Sequence, residues 1–249
     1  MNILLVNDDG IQSEGIQVLY KRLSKEHKVF VLAPDSNRSA VSHHISIFNK
    51  NTIKSYCENQ WTCSGFPADC ASIGLTSDLF DVKFDVCLSG INAGPNLGTD
   101  IVYSGTCAGA RQAILNKIPG IALSLDPIDW SKPIKYEAMA DFAAKNLDTL
   151  ISLVSLDAPR IFVNVNAASL DSYKGVKTGE ELCIRNYKDR IKIEDKGEFK
   201  ESHLLPITGN DTYSQTCDHS IIRDGYICVN RVYADPVCSQ VLEGLAFKL

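Results

Sequence analysis

An apolar run begins at the third residue and stops on charge. Ile3 to Val6 is uninterrupted in hydrophobic residues, and Asn7, Asp8, Asp9 and Gly10 follow at once. A short apolar run bounded by turn formers reads as a buried strand. Ile16, Leu19, Tyr20 and Leu23 then recur at i, i+3, i+4 and i+7, one stripe of an amphipathic helix. Lys28 to Ala33 is a second, nearly continuous apolar run, as a strand covered on both faces requires. Strand, helix, strand at the start of the chain predicts a βαβ unit and therefore a parallel sheet. In open sheets of this kind ligands gather beyond the carboxyl ends of the strands. The Asp8-Asp9-Gly10 end is thus either a place for chemistry or an ordinary turn, because Asp-Gly is also a turn signal.

The chain has 249 residues, ample for a sizeable core, and a formal net charge of −5. No Lys/Arg run exceeds a pair, which argues against wrapping a polymeric nucleic acid, whose affinity comes from clustered basic charge. No apolar run approaches the roughly 20 residues that span a bilayer. The acid pair interrupts the first apolar run too early for a signal peptide. Nine cysteines are scattered from Cys57 to Cys238 without any Cys-x-x-Cys spacing, so neither a zinc ribbon nor a thioredoxin-type motif is expected. They read as free thiols of a cytoplasmic protein, packing as small hydrophobes.

Further along, Pro34 to Ser39 is a dense cluster of turn formers and hydroxyls just past the second strand. His43 and His44 are adjacent, so in an extended strand they point apart, and no third ligand lies at a metal spacing. Ser64 to Pro67 is a turn, and Ala68 to Leu79 reads as a short helix. Phe84 to Leu88 is another buried strand, leading into Ser89–Gly98, whose Gly90, Gly94 and Gly98 let backbone approach a ligand closely. No Gly-Lys-Ser/Thr follows, and the glycines lack dinucleotide-fingerprint spacing. Tyr103 to Thr106 opens a helix with Cys107, Ala110, Ile114, Leu115 and Ile118 as its apolar stripe. Hydroxyls and a glycine there suit a phosphate, since free N–H groups and the helix dipole favour an anion, although a plain Ser/Thr cap has the same appearance. Gly120–Ser124 and Arg160–Asn166 read as strands, with one long helix marked by Met139, Phe142, Leu147, Leu150 and Val154 between them. Residues 1–170 are expected to form an α/β core. Residues 171–249 add an extended arm or hairpin around Arg190–Glu194 and a late strand at Gly225–Val229, completing the same domain. The fold class is therefore α/β: a mostly parallel sheet with helices on both faces and a C-terminal β-rich extension.

Asp8, Asp9, Ser39 and Asn92 thus sit on loops that follow three early strands, and all offer oxygen. Oxygen-only ligation suits a hard cation such as Mg²⁺, Mn²⁺ or Ca²⁺ more than Zn²⁺, with Mg²⁺ or Mn²⁺ expected. With the helix start at Ser104, Gly105 and Thr106 supplying positive potential, the set predicts metal-assisted hydrolysis of a phosphomonoester. A haloacid-dehalogenase-type scheme needs a second aspartate two positions from the nucleophile. Asn7 precedes Asp9 by two and Gly10 follows Asp8 by two, so that scheme fails.

The segments Asn7–Gly10, Ala33–Ser39, Gly65–Cys70, Ser89–Gly98 and Tyr103–Thr106 together resemble the SurE family of metal-dependent 5′/3′-nucleotidases, in order and in spacing, across the first half of the chain. The resemblance implies Asp8, Asp9, Ser39 and Asn92 as ligands of one divalent ion, with Asp8 and Asp9 central to catalysis. It implies a Rossmann-like catalytic core over residues 1–170, Asn96 and Ser104–Thr106 around the substrate phosphate, and a homodimer or homotetramer that exchanges a C-terminal arm. Phe66 departs from the family's usual Thr. The family's C-terminal signature is matched only in part, by Asn210–Thr212 and by Gly225-Tyr226. The expected activity is release of phosphate from nucleoside 5′- and 3′-monophosphates. Alternatives are a broader phosphatase or short-chain polyphosphatase with the same site, and a nucleotide-binding relative without turnover.

Overall fold

The computed structural model describes residues 1–185, 190–205 and 213–237. In chain order the elements are β1 (Asn2–Val6), α1 (Glu14–Leu23), β2 (Lys28–Pro34), β3 (Ile53–Cys57), β4 (Gln60–Cys63), α2 (Pro67–Thr76), β5 (Val86–Ala93), α3 (Gly105–Leu115), β6 (Gly120–Asp126), α4 (Glu137–Lys145), α5 (Leu147–Ser152), β7 (Ile161–Ala168), β8 (Val176–Thr178), β9 (Arg190–Asp195), β10 (Lys200–Leu205), α6 (Asp218–Arg223) and β11 (Ile227–Tyr233). A short 3₁₀ turn, Gly98–Val102, precedes α3.

Nine strands form one sheet in the order β3-β4-β2-β1-β5-β6-β7-β11-β8. Its centre is parallel from β4 through β7, with antiparallel pairing at β3/β4 and at β7/β11. The α/β class predicted from the sequence is the class observed. Strand β1 is apolar from Ile3 to Val6 because both its faces are covered there. Ile3 and Leu5 meet the stripe Ile16, Leu19 and Leu23 of α1, which shares its core with α4 and α5. Leu4 and Val6 point the other way, into a second core with Phe30, Cys70, Phe80 and Ala113, under α2 and α3. Period-two alternation thus divides one four-residue run between two cores.

The chain leaves β1 toward β2 on one side and returns through α2 to β5 on the other. The boundary between β1 and β5 is therefore the topological switch point, where the connections diverge and leave a crevice beyond the strand ends. Asp8 and Asp9 follow β1 at that crevice, and Asn92 lies at the end of β5 facing it.

Several elements differ from the sequence reading. Strand β5 continues to Ala93, with a register shift against β6 between Ser89 and Asn92, so Asn92 belongs to a bulged strand end and not to a free loop. The expected long helix is two, α4 and α5, divided at Asn146, whose side-chain Nδ2 donates to the Phe142 carbonyl at 2.9 Å and ends the first. Ile118 lies beyond the end of α3. The hairpin β3/β4, the short strand β8 and helix α6 carry little apolar periodicity and were not anticipated. Strands β9 and β10 form the expected antiparallel hairpin as a separate two-stranded sheet. The expected motif at Asn210–Thr212 lies outside the described residues. His43 and His44 have separate partners: His43 Nε2 is 2.8 Å from Gln112 Oε1, and the His44 ring packs at a tilt of 49° against Phe66, 4.0 Å between centroids. All eight described cysteines are free, and only Cys57 among them is exposed. No described helix is long and apolar enough to cross a membrane.

Candidate active site

The turn after β1 is built by Asn7, a buried residue to which the sequence reading gave no role. Its Nδ2 donates to the Gly10 carbonyl at 2.9 Å and to Ser13 Oγ at 2.8 Å, and its Oδ1 accepts from Gly10 N. Gly10 turns at φ +97°, a conformation that side chains other than glycine resist. Asn7 therefore fixes both the turn and the start of α1, and Asp8 and Asp9 project between them.

Asp8 is 3% exposed. Thr106 Oγ1 donates to its Oδ1 at 2.5 Å, and a Cβ placed on Gly105 would lie 2.8 Å from its Cβ, so only glycine lets α3 come this close. Burial raises the Asp8 carboxyl to about 6; the Thr106 bond opposes the rise and neighbouring Asp9 adds to it. Asp9 accepts from Ala93 N at 3.0 Å, and burial raises its carboxyl as well, against that bond. No ion pair joins either carboxylate to a Lys or Arg among the described residues.

Ser39 is exposed and is brought in by its predecessor, as Arg38 N donates to the Asp8 carbonyl at 2.7 Å. Arg38 is held in turn by Asp35 at 3.1 Å, by the Ser64 carbonyl at 3.2 Å, and over the Phe66 ring at 5.7 Å. Phe66 thus braces the loop between Arg38 and His44. Asn92 donates its Nδ2 to the Gly94 carbonyl at 2.8 Å, which leaves its side-chain oxygen available.

These groups open on one cleft of about 580 Å³, within the range of small-molecule sites. Asp8, Ser39, Asn92, Asn96 and Ser104 line it. Gly105 and Thr106 contact Asp8 from outside that lining, and Asp9, half-buried, is held at Ala93 N beside it. Ser104 caps α3, its Oγ accepting from Cys107 N at 2.9 Å. Asn96 is buried and rigidly held. Its Nδ2 donates to Ser124 Oγ at 2.8 Å, its N to Asn166 Oδ1 at 2.8 Å, and its carbonyl accepts from Asn164 at 2.9 Å and Asn166 at 3.1 Å. Asp218 clamps the far side, accepting from Gly98 N at 2.8 Å and Cys183 N at 2.9 Å.

The donor set fits a hard divalent cation. Two crowded carboxylates raised by burial, with a hydroxyl and an amide oxygen beside them, form a locus whose uncompensated charge a cation would relieve.

A family model described as survival protein SurE matches residues 3–189. The chain belongs to the SurE family. A relative named 5′-nucleotidase SurE from Treponema pallidum is 45% identical over 177 residues, covering 70% of this chain and 93% of that one. Another of the same name, from Kosmotoga olearia, is 35% identical over 239 residues, 94% of this chain and 92% of that one. The crystal structure of the SurE protein from Aquifex aeolicus superposes with a TM-score of 0.80 at 30% identity, covering 95% of each chain.

The cleft also contains residues to which the sequence reading assigned no role: Asp100, Asp126, Trp130, Arg185, His219 and Arg223. Arg185 pairs with Asp100 at 2.6 Å, and Arg223 with Asp126 at 2.9 Å. Each joins segments far apart in the chain. Only an isolated exposed Trp among polar residues, at position 130, could have flagged this wall from sequence.

Proposed function

We propose that this SurE-family chain is a divalent-metal-dependent phosphomonoesterase that hydrolyses nucleoside 5′-monophosphates, and 3′-monophosphates at the same site. The observation that carries the reading is the buried Asp8 carboxylate, raised to about 6, at the switch-point cleft without a cationic partner among the described residues. The names of the relatives, 5′-nucleotidase SurE, support it. Asp8, Asp9, Ser39 and Asn92 would hold one Mg²⁺ or Mn²⁺. That ion, when bound, would polarise the phosphoryl group and lower the pKa of a water.

The chain's own residues do the rest. Thr106 keeps Asp8 in one rotamer, and Ala93 N does the same for Asp9, so the ligand oxygens are preorganised. Asn96 and Ser104 face the phosphate. Their supports, Asn164, Asn166 and Ser124, fix the position of Asn96, since a displacement of ~1 Å at such a group can cost about 100-fold in rate. Asp8 and Asp9 are the carboxylates beside which an attacking water would be oriented.

We assign the enzyme to the cytoplasm, in keeping with free, buried thiols. Assembly into a homodimer or homotetramer is supported by hairpin β9/β10, which exposes Ile191, Ile193 and Phe199.

Phosphate release from a panel of 5′- and 3′-nucleotides and short polyphosphate, with Mn²⁺, with Mg²⁺ and with chelator, tests the function. Turnover of the nucleotides with metal and its loss in chelator are expected. Turnover unaffected by chelator, or confined to polyphosphate, contradicts the reading.

A further inference from the structure

Trp130 is the anomaly of the cleft. An indole is large and apolar and is normally mostly buried, yet Trp130 is 72% exposed while lining the cleft. It is not adrift. Its six-membered ring lies against Gly94, 3.6 Å and 4.0 Å from where a Cβ would stand, and Gly94 itself accepts from Asn92. The ring therefore rests on Gly94, just past the strand end that carries Asn92 and two residues before Asn96.

The segment bearing Trp130 is also ordered beforehand. Ile128 N donates to Asp126 Oδ1 at 2.9 Å, and Asp126 is paired with Arg223. Beyond the indole, Ser131 N and Oγ donate to Asp129 Oδ1 at 3.0 and 2.7 Å. One side-chain-locked turn precedes the exposed aromatic and a second encloses it, so little ordering entropy is lost when a ligand covers it.

We infer that Trp130 is the platform on which the base of the substrate stacks, and so the residue that makes the cleft prefer nucleotides to baseless sugar phosphates. The inference rests on the nucleotidase reading of the same cleft and adds the part of the substrate it recognises. In the nucleotidase reading the phosphate lies by Asn96 and Ser104, and Trp130 lines the same cleft. Every base has a π-face, so stacking recognises the class and not one member. Trp130 touches substrate but no reacting atom, so its contribution falls on binding. Tyr103, 54% exposed, and Ile128, 50% exposed, extend the same rim.

Two measurements decide it. Wild type, Trp130→Ala and Trp130→Phe are assayed with metal against AMP and ribose 5-phosphate, which share the phosphomonoester and the sugar and differ in the base. Trp130→Ala is expected to raise KM for AMP about tenfold and KM for ribose 5-phosphate less than about twofold, with kcat little changed and Phe restoring most of the loss. Equal shifts for both compounds, or none for AMP, overturn the inference. The second measurement is tryptophan emission. The chain has two tryptophans, and Trp61 is packed edge-on against Phe80 at 4.9 Å in the β2/α2 core. AMP should quench wild-type emission and leave that of Trp130→Phe unchanged. No quench, or a quench that survives in Trp130→Phe, overturns the inference. A Trp130-dependent quench without turnover of either compound would strike at the hydrolase reading and leave the base platform standing.

Discussion

Asp8→Asn is expected to lower metal-dependent phosphate release by ~10³-fold or more, about 4 kcal/mol in the barrier, while making the metal-free protein more stable. Asparagine keeps the oxygen that accepts from Thr106 and nearly the same volume, so the fold has no reason to change. It removes one of two negative charges that compensate a divalent cation, and with it the main attraction for the metal. The stability gain follows from the same burial. The folded Asp8 titrates at about 6 against an ordinary 3.8, so its folded-state pKa is raised. Below 3.8 both folded and unfolded chains carry the protonated form and the group contributes no difference. As pH rises from there to about 6 the unfolded chain ionises first and the metal-free fold loses stability; above about 6 the loss is complete. An asparagine suffers no such loss, so the gain of the variant has an upper bound of roughly 3 kcal/mol near pH 7. Thermal unfolding of metal-stripped protein should show the variant several degrees above wild type near pH 7.5 and level with it near pH 4. Active-site charge would then be a cost that the protein tolerates for its ligand.

Gly15→Ala should destabilise the protein by about 3 kcal/mol or more, although alanine is the better helix former by roughly 1 kcal/mol. Gly15 is a buried residue of α1, and a Cβ there would stand 2.0 Å from the Ile91 carbonyl oxygen and 2.9 Å from the Tyr136 ring. The obstacle is the backbone of β5, which cannot rotate away as a side chain can. Because Ile91 precedes Asn92, any retreat of β5 also displaces a proposed metal ligand, so activity should fall with stability. Gly74→Ala in α2 is the matched comparison: the atoms nearest its Cβ belong to the Leu4 side chain, the first at 2.7 Å, and a methyl group can give way. Differential scanning calorimetry of both variants separates the effects. A Gly15→Ala protein melting at or above wild type would mean that α1 does not sit on β5 as described.

What could be read from the sequence was what has a local signature. The run Ile3–Val6, the α1 stripe and the Asp8-Asp9-Gly10 stop each announce themselves within a few residues, and together they placed the acid pair at a parallel strand end. The supports of the site have no such signature. Asn164 and Asn166 hold Asn96 across 68 and 70 positions, and Asp218 reaches Gly98 across 120. A polar contact at that separation depends on the completed sheet and leaves no period in the chain. Asn7 failed for another reason: next to two carboxylates it looks like one more turn residue, and only its burial shows that it builds the turn. Phe66, a departure from the family pattern, was legible as an oddity but not as the brace of Arg38 and His44. Helices α4 and α5 merge into one in the reading because Leu147, Leu150 and Val154 resume helical spacing past Asn146, whereas a local side-chain bond ends the first helix there.

The central claim is that the acid pair at the end of β1 forms a divalent-cation site, and direct Mn²⁺ titration tests it without recourse to turnover. Metal-stripped wild type, Asp8→Asn and Asp9→Asn are titrated with Mn²⁺ near pH 7.5, following heat and the paramagnetic resonance signal of free Mn²⁺. One site per chain in wild type, weakened at least about 100-fold in either variant, is the predicted result. Equal Mn²⁺ binding by wild type and by both variants would contradict it.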